Sequence, residues 1–118
     1  MCGRYASARS RIELLEEFDV QRDRVDESLK PDYNVAPTKP VYAVMTRKPR
    51  TETDNAEADA KAAADGKAER ELRVVRWGLV PYWAKDVSIG SRLINARAET
   101  VSEKPAFRAA FAKRRCLL

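Results

Sequence analysis

The second residue, Cys2, can carry chemistry that no internal cysteine can perform. Once Met1 is removed, Cys2 holds a free α-amine beside its thiol. Terminal amines have a pKa of about 7.7–8.0, so a large share is uncharged and nucleophilic near neutral pH. Such an amine condenses with an aldehyde to an imine, and the thiol then closes a thiazolidine ring. The alternative interpretation is that Cys2 is merely a small residue after the initiator methionine.

A second candidate is Asn95, which follows two apolar residues in the segment LINARAET (residues 93–100). Its amide can orient a terminal amine or polarise a carbonyl, although a buried turn former is the commoner role of such an Asn. If the segment is extended, Arg97 shares a face with Asn95 and supplies a guanidinium that can bind phosphate.

The 118 residues include no histidine and only two cysteines, Cys2 and Cys116. This composition excludes a Ser-His-Asp or Cys-His pair, a zinc site with histidine and a four-cysteine zinc site. We therefore expect no metal and no cofactor. Two cysteines are too few for a secreted disulfide framework, and no signal peptide or membrane-spanning stretch is present, which favours a cytoplasmic protein without membrane contact.

The net charge of +5 is unevenly distributed. Residues 51–71 hold seven acidic, three basic and seven alanine residues, and no large apolar side chain, which predicts a mobile insertion. Residues 72–118 hold ten basic and three acidic side chains. This balance favours phosphate-bearing partners, with ordinary solubility as the alternative. The basic residues are interleaved with Trp77, Tyr82 and Trp83, a combination that suits single-stranded nucleic acid, although such aromatics more often belong to a core or its rim.

Apolar patterning predicts the elements that position these residues. Residues 8–18 predict a helix, and residues 41–46 and 72–77 predict strands joined by the acidic segment as an enlarged hairpin loop. The helix would use Ser7 or Ser10 as its N-cap and place Ile12, Leu15 and Phe18 on one face, with Leu14 beside them.

Four further segments complete the prediction. Residues 30–40, with three prolines, predict a structured loop, and residues 77–83 (WGLVPYW) predict no regular element. Residues 103–113 predict a helix, and Arg115 begins what resembles a strand. The helix would be capped by Ser102 and would bury Phe107, Ala110 and Phe111.

Four of these segments, in order, resemble the motifs of the SOS-response-associated peptidase (SRAP) family, also called abasic-site processing proteins. They are MCGRY (1–5), YNVAPT (33–38), WGLVPYW (77–83) and INARAET (94–100), and RCLL (115–118) resembles the start of the next family block. The resemblance implies an α+β fold with a strand-rich, barrel-like core and flanking helices. Because the family's later Gly-Phe-Tyr-Glu-Trp-like block, with a catalytic glutamate, and its histidine block do not occur here, we expect residues 1–118 to be the N-terminal part of one incomplete domain.

The resemblance also implies an enzymatic function. It implies that the chain removes Met1 by its own peptidase activity. It also implies that Cys2 is then cross-linked as a thiazolidine to the ring-opened aldehyde of an abasic site in single-stranded DNA, during the DNA damage response. In this chain Cys2 would be the nucleophile and Asn95 would support its amine and the sugar. The residues that would line the DNA channel are Arg4, Asn34, Pro37, Trp83 and Arg97, whereas Trp77, Gly78 and Pro81 would shape the fold.

Three alternatives stay open at this stage. The chain can be a non-covalent single-stranded DNA-binding module, an inactive fragment that lacks the family's glutamate and histidine, or a cysteine peptidase that acts on other proteins. The partners expected are abasic single-stranded DNA and either a missing C-terminal half or a second copy of the chain. When acting on DNA, the protein would associate with the nucleoid.

Overall fold

The computed structural model describes residues 2–47 and 68–118. Within these ranges there are five strands, two α-helices and a 3₁₀ helix. In chain order they are β1 (Tyr5–Ser7), α1 (Arg11–Glu17), β2 (Arg22–Asp23), β3 (Asp32–Val35), β4 (Pro40–Arg47), β5 (Glu69–Arg76), the 3₁₀ helix (Val87–Arg92) and α2 (Arg108–Lys113).

The central element is the antiparallel pair of β4 and β5, which confirms both strands expected from the sequence. The loop expected to join them lies outside the described residues. The register of the pair runs from Pro40 opposite Arg76 to Arg47 opposite Glu69. Strand β2 adds to the other edge of β5 in parallel, so the strand order of this sheet is β2-β5-β4. A separate two-stranded antiparallel sheet is formed by β1 and β3.

The central sheet is covered on both faces because successive side chains of a strand point to opposite sides. On one face, Tyr42, Val44 and Leu72 pack with Val25. On the other face, Val41 packs with Val35 and Trp77. The partly buried side chains that complete the first cluster are Leu14, Leu15, Phe18, Val20 and Leu29; those of the second are Tyr5, Val75 and Ile94.

The first predicted helix forms, but it is shorter than residues 8–18. Ser10 is the N-cap and forms a capping box with Glu13, in which each side chain accepts a hydrogen bond from the other residue's backbone N–H. Ile12, predicted to share a face with Leu15 and Phe18, is not buried with them, since its side chain is 68% exposed. At 3.6 residues per turn the buried face centres on Leu14, Leu15 and Phe18, and Ile12 falls to its side.

The segment 30–40 contains a strand, β3, in addition to the predicted loop. The three prolines of this segment predict a loop, but all of them lie outside Asp32–Val35 and leave that strand free to pair with β1. The remaining residues 36–39 form a turn before β4.

The helix expected over residues 103–113 is also shorter. Residues 98–107 form successive turns, and α2 begins at Arg108 with Phe107 at the N-cap position, not Ser102. Pro105 explains the shift, because it has no N–H to donate and disfavours helical geometry at Lys104. Phe111, expected to be buried, is 42% exposed.

The strand start expected near Arg115 is confirmed at Leu117. The backbones of Leu117 and Val44 exchange two N–H···O hydrogen bonds of 2.9 Å, which form an antiparallel bridge on the outer edge of β4. The expected irregular course of residues 77–83 is likewise confirmed, since none of them belongs to a helix or a strand.

The α+β class is confirmed, whereas the barrel-like core is not found in the described ranges. There the strands form two separate sheets, and no strand pairing closes either of them. Most of the expected mobile insertion, residues 51–71, lies outside the described residues. Its last three residues belong to β5, where Glu71 is buried between Arg47 and Arg73.

Candidate functional site

The two residues expected to carry the chemistry lie against each other. The side-chain amide of Asn95 (Nδ2) donates a 2.8 Å hydrogen bond to the main-chain carbonyl oxygen of Cys2. Both residues are exposed, and the Cys2 thiol is free. The Asn95 amide thus holds Cys2 by its carbonyl group, and this contact occupies neither the nitrogen nor the sulfur of Cys2.

Two of the expected DNA-binding residues are also joined. The Arg4 guanidinium donates a 3.1 Å hydrogen bond to the Asn34 side-chain oxygen. Arg4 follows Cys2 by two residues, so this pair lies close to the thiol along the chain. Both side chains are exposed, and the fixed guanidinium presents its remaining N–H groups to solvent, where a phosphate can bind.

Asp32, which the sequence interpretation missed, organises this pair. One carboxylate oxygen accepts from the Asn34 N–H at 2.9 Å, and the other accepts from the Lys39 ammonium at 2.8 Å. The Lys39 hydrogen bond first, and the Asn34 N–H second, lower the pKa of Asp32 below its usual 3.8. The signal available in the sequence is the Asp-x-Asn spacing, because Asp side chains commonly bond to the backbone two residues on.

Strand β1 holds the segment that carries Cys2 and Arg4. Its first residue, Tyr5, packs edge-on against the buried Trp77 ring, with centroids 5.1 Å apart and an interplanar angle of 86°. Burial, with a smaller contribution from the Asp32 charge, raises the pKa of Tyr5 above 10.0. This aromatic pair therefore ties the N-terminus to the second core cluster.

Pro37 lies in the tight turn between β3 and β4, and it is partly buried. The next residue, Thr38, has a φ of 74°, a conformation that costs energy for a β-branched side chain. Trp77 holds this turn from both sides: its carbonyl accepts from the Thr38 N–H at 2.9 Å, and its N–H donates to Lys39 O at 3.0 Å. The position of Pro37 is thus fixed by the backbone of a core residue.

Asn95 is positioned by a close contact between two glycines. Gly78 has a φ of 127°, and a Cβ built there would lie 2.3 Å from the Gly90 carbonyl oxygen. Past this contact, the Leu79 N–H donates to Leu93 O at 3.1 Å, and Ile94 packs into the second core cluster. Asn95 follows Ile94 directly, and this path of the chain places its side-chain amide against the Cys2 carbonyl. Burial of Trp77 and Pro81 agrees with the structural roles expected for them.

Trp83 and Arg97 are less closely tied to this group. Trp83 is 48% exposed and follows Tyr82, which is 78% exposed. Arg97 is exposed, and its carbonyl oxygen accepts hydrogen bonds from the backbone N–H groups of Thr100 and Val101. In residues 2–47 and 68–118, the Trp83 and Arg97 side chains form no hydrogen bond or ion pair with Cys2, Arg4 or Asn95. Their DNA-binding roles stay predictions.

The described part of the chain contains no cluster of three or more His, Cys, Asp or Glu side chains that could hold a metal ion. None of its helices has the length and apolar character required to cross a membrane.

Comparison with known proteins agrees with the motif resemblance. The family model described as SOS response associated peptidase (SRAP) matches residues 1–118. The chain is 36% identical over 118 residues to the abasic site processing proteins YoaM and YoqW of Bacillus subtilis (strain 168), which covers all of this chain and 44% of each relative.

A more distant match is the abasic site processing protein YMR114C of Saccharomyces cerevisiae, with 34% identity over 89 residues, or 74% of this chain and 18% of the yeast protein. The chain therefore spans less than half the length of the Bacillus relatives that it matches. The family model and the site motifs agree over the whole sequence, and the chain belongs to the SRAP family.

Proposed function

We propose that this chain processes abasic sites by forming a covalent thiazolidine between Cys2 and the ring-opened aldehyde of an abasic site in single-stranded DNA. The observation that carries the proposal is the hydrogen bond from Asn95 to the Cys2 carbonyl across 93 residues. The names of the Bacillus and yeast relatives support the choice of DNA lesion.

The contact matches what the reaction requires of its nucleophile. Hydrolysis of the Met1–Cys2 peptide bond consumes one water and frees the Cys2 amine. The amine adds to the aldehyde carbon and loses one water as the imine forms. The Cys2 thiol then adds to the imine carbon, and the proton that the thiol loses passes to the nitrogen. Only the carbonyl of Cys2 takes no part, and that is the group that Asn95 holds.

The neighbouring groups suit the DNA that must carry the aldehyde. Arg4, fixed by Asn34, offers a guanidinium for a phosphate next to the lesion. Exposed Tyr82 and Trp83 offer flat faces on which bases can stack. Binding the strand at such points raises the effective concentration of the aldehyde beside the Cys2 amine.

The test is incubation of the chain, after removal of Met1, with a single-stranded oligonucleotide that bears one abasic site, followed by a denaturing gel. We expect a shifted band that Cys2→Ala abolishes. Cys116→Ala is the matched control because it removes the other exposed free cysteine, and it should leave the band unchanged. A band that persists in Cys2→Ala, or that is lost equally in both variants, would contradict the proposal.

A second variant tests the contact itself. Asn95→Asp keeps the size of the side chain but removes the donor to the Cys2 carbonyl. Loss of one hydrogen bond of about 1 kcal/mol predicts cross-linking about fivefold slower, with the same final product. An unchanged rate would show that the Asn95 contact does not support the reaction.

A second candidate function, non-covalent binding of single-stranded DNA, is favoured by the exposed aromatics Tyr33, Tyr82 and Trp83, which are 76%, 78% and 48% exposed. It predicts binding that survives Cys2→Ala, weakens steeply with salt and leaves no product resistant to denaturant.

A further inference from the structure

A basic cleft lies between the end of β4 and the end of α2, and it is lined by none of the residues of the Cys2 site. Its volume is about 550 Å³, within the usual range of 300–1,000 Å³ for small-ligand pockets. The lining combines apolar groups with four cations and contains no Asp or Glu of the described ranges. The apolar members are Met45, Leu79 and Ala110, and the cations are Arg47, Lys113, Arg114 and Arg115.

The cations differ in how far their charge is balanced. Arg47 lies 3.8 Å from the buried Glu71 carboxylate, and the Arg115 guanidinium stacks over the Phe111 ring at 5.7 Å. Lys113 and Arg114 form no ion pair with any residue in 2–47 or 68–118. Both are exposed, and like Arg115 they carry charges that no carboxylate of the described ranges balances.

Cations beside apolar surface favour one class of ligand. Phosphates of a single strand pair with the cations, while its sugars and bases cover the apolar side chains. An acidic peptide segment would use the cations but leave the apolar lining exposed to water. The wall of the cleft is also connected to the segment that carries Asn95. The backbone N–H of Leu79 donates a hydrogen bond to the carbonyl of Leu93, two residues before Asn95.

We propose that this cleft binds backbone phosphates of single-stranded nucleic acid, as a second anchoring site for the strand whose lesion lies at Cys2. The proposal rests on the proposed function for the identity of its partner. It assigns Lys113 and Arg114 to phosphate contacts that the SRAP motifs of this chain do not include.

The experiment measures non-covalent binding in a Cys2→Ala background, so that cross-linking plays no part. The probe is a fluorescein-labelled, undamaged oligothymidine, titrated by anisotropy over a range of salt concentrations. The test variant is Lys113→Gln with Arg114→Gln. The control is Lys104→Gln with Arg108→Gln, which removes the same charge from exposed residues of the same region that do not line the cleft.

We expect the cleft variant to bind about tenfold more weakly than its parent. Its slope of log K against log salt should fall by about 1.4, since each lost phosphate contact on a single strand removes about 0.7. The control should change affinity less than about twofold. Equal urea midpoints for the two variants would show that folding does not explain the difference.

Equal weakening by the two variants would overturn the cleft proposal, because net charge alone would then explain binding. Displacement of the oligonucleotide by poly-glutamate as readily as by oligothymidine of equal charge would also overturn it. If the parent cross-links at abasic sites but the variants bind alike, the cleft proposal fails and the proposed function stands. If the parent does not cross-link but the cleft variant binds more weakly than the control variant, the proposed function fails and the cleft proposal stands.

Discussion

Among the glycines of the described ranges, Gly78 should be the one whose replacement by alanine destabilises the fold most. A Cβ at this position would approach the Gly90 carbonyl oxygen to 2.3 Å and its carbon to 2.7 Å, whereas real Cβ contacts essentially never fall below 3.0 Å. Both atoms belong to the backbone, so no flexible side chain can move aside. The φ of 127° adds a second cost, because side chains rarely adopt it.

The magnitude follows from these two costs. A residue held in a sparsely populated backbone conformation costs about 1–3 kcal/mol, and forced overpacking costs about 1–3 kcal/mol more. The free energy of unfolding should therefore fall by about 2–6 kcal/mol, a large share of the 5–15 kcal/mol typical of native proteins. Because the backbone of Gly78 leads to the Leu79–Leu93 hydrogen bond, the shift should also displace Asn95 from Cys2.

Two other glycines provide a graded control. A Cβ on Gly90 would lie 3.2 Å from Gly78 O, so Gly90→Ala should cost about 1–2 kcal/mol. A Cβ on Gly3 meets no atom within 4 Å, and Gly3→Ala should change stability by less than about 0.5 kcal/mol. The assay is urea unfolding followed by Trp fluorescence, with cross-linking rates beside it. If Gly78→Ala is no less stable than Gly3→Ala, the reasoning from the glycine contact is refuted.

Two further predictions concern polar contacts. Ser10→Ala removes half of the capping box with Glu13 and should lower the free energy of unfolding by about 1 kcal/mol, whereas an unchanged urea midpoint would show that the cap adds nothing. The second concerns Asp32, whose pKa is lower in the folded state, so that its stabilisation is present above its usual pKa and is lost as pH falls through the folded value. Between about pH 5 and about pH 3 the parent should therefore lose more stability than Asp32→Asn, as measured by urea midpoints at both pH values, and equal losses would contradict this.

Local patterns predicted those features whose causes are local. The β-rich runs of residues 41–46 and 72–77 predicted both strands, and Ser7 or Ser10 was predicted as the N-terminal cap of α1, which is Ser10. Each of these effects acts within a few residues. The errors arose where one residue changes a longer pattern. Pro105 delayed α2 to Arg108, a position that the apolar spacing of residues 103–113 did not reveal.

The candidate site likewise has features that the sequence predicts and features that depend on tertiary contacts. The expected chemistry of Cys2 follows from its position in the chain, and Asn95 was indicated by its place after two apolar residues and then by the family resemblance. That the Asn95 amide binds the carbonyl of Cys2 depends on how Gly78 packs against Gly90, a tertiary contact without a sequence pattern. Asp32 was missed because its role depends on simultaneous contacts with Asn34 and Lys39, and the Asp-x-Asn spacing indicates only the first of them.

The distance along the chain between Cys2 and Asn95 has a consequence during synthesis. The two residues are 93 positions apart, and at about 5–20 residues per second Asn95 is added about 5–20 s after Cys2. In that interval the N-terminus of the growing chain lacks the amide that holds it. Closing so long a loop is also entropically costly, so the contact forms only with the rest of the fold. The Asn95–Cys2 contact thus forms only after Asn95 has been added, and a shorter nascent chain carries Cys2 without its Asn95 partner.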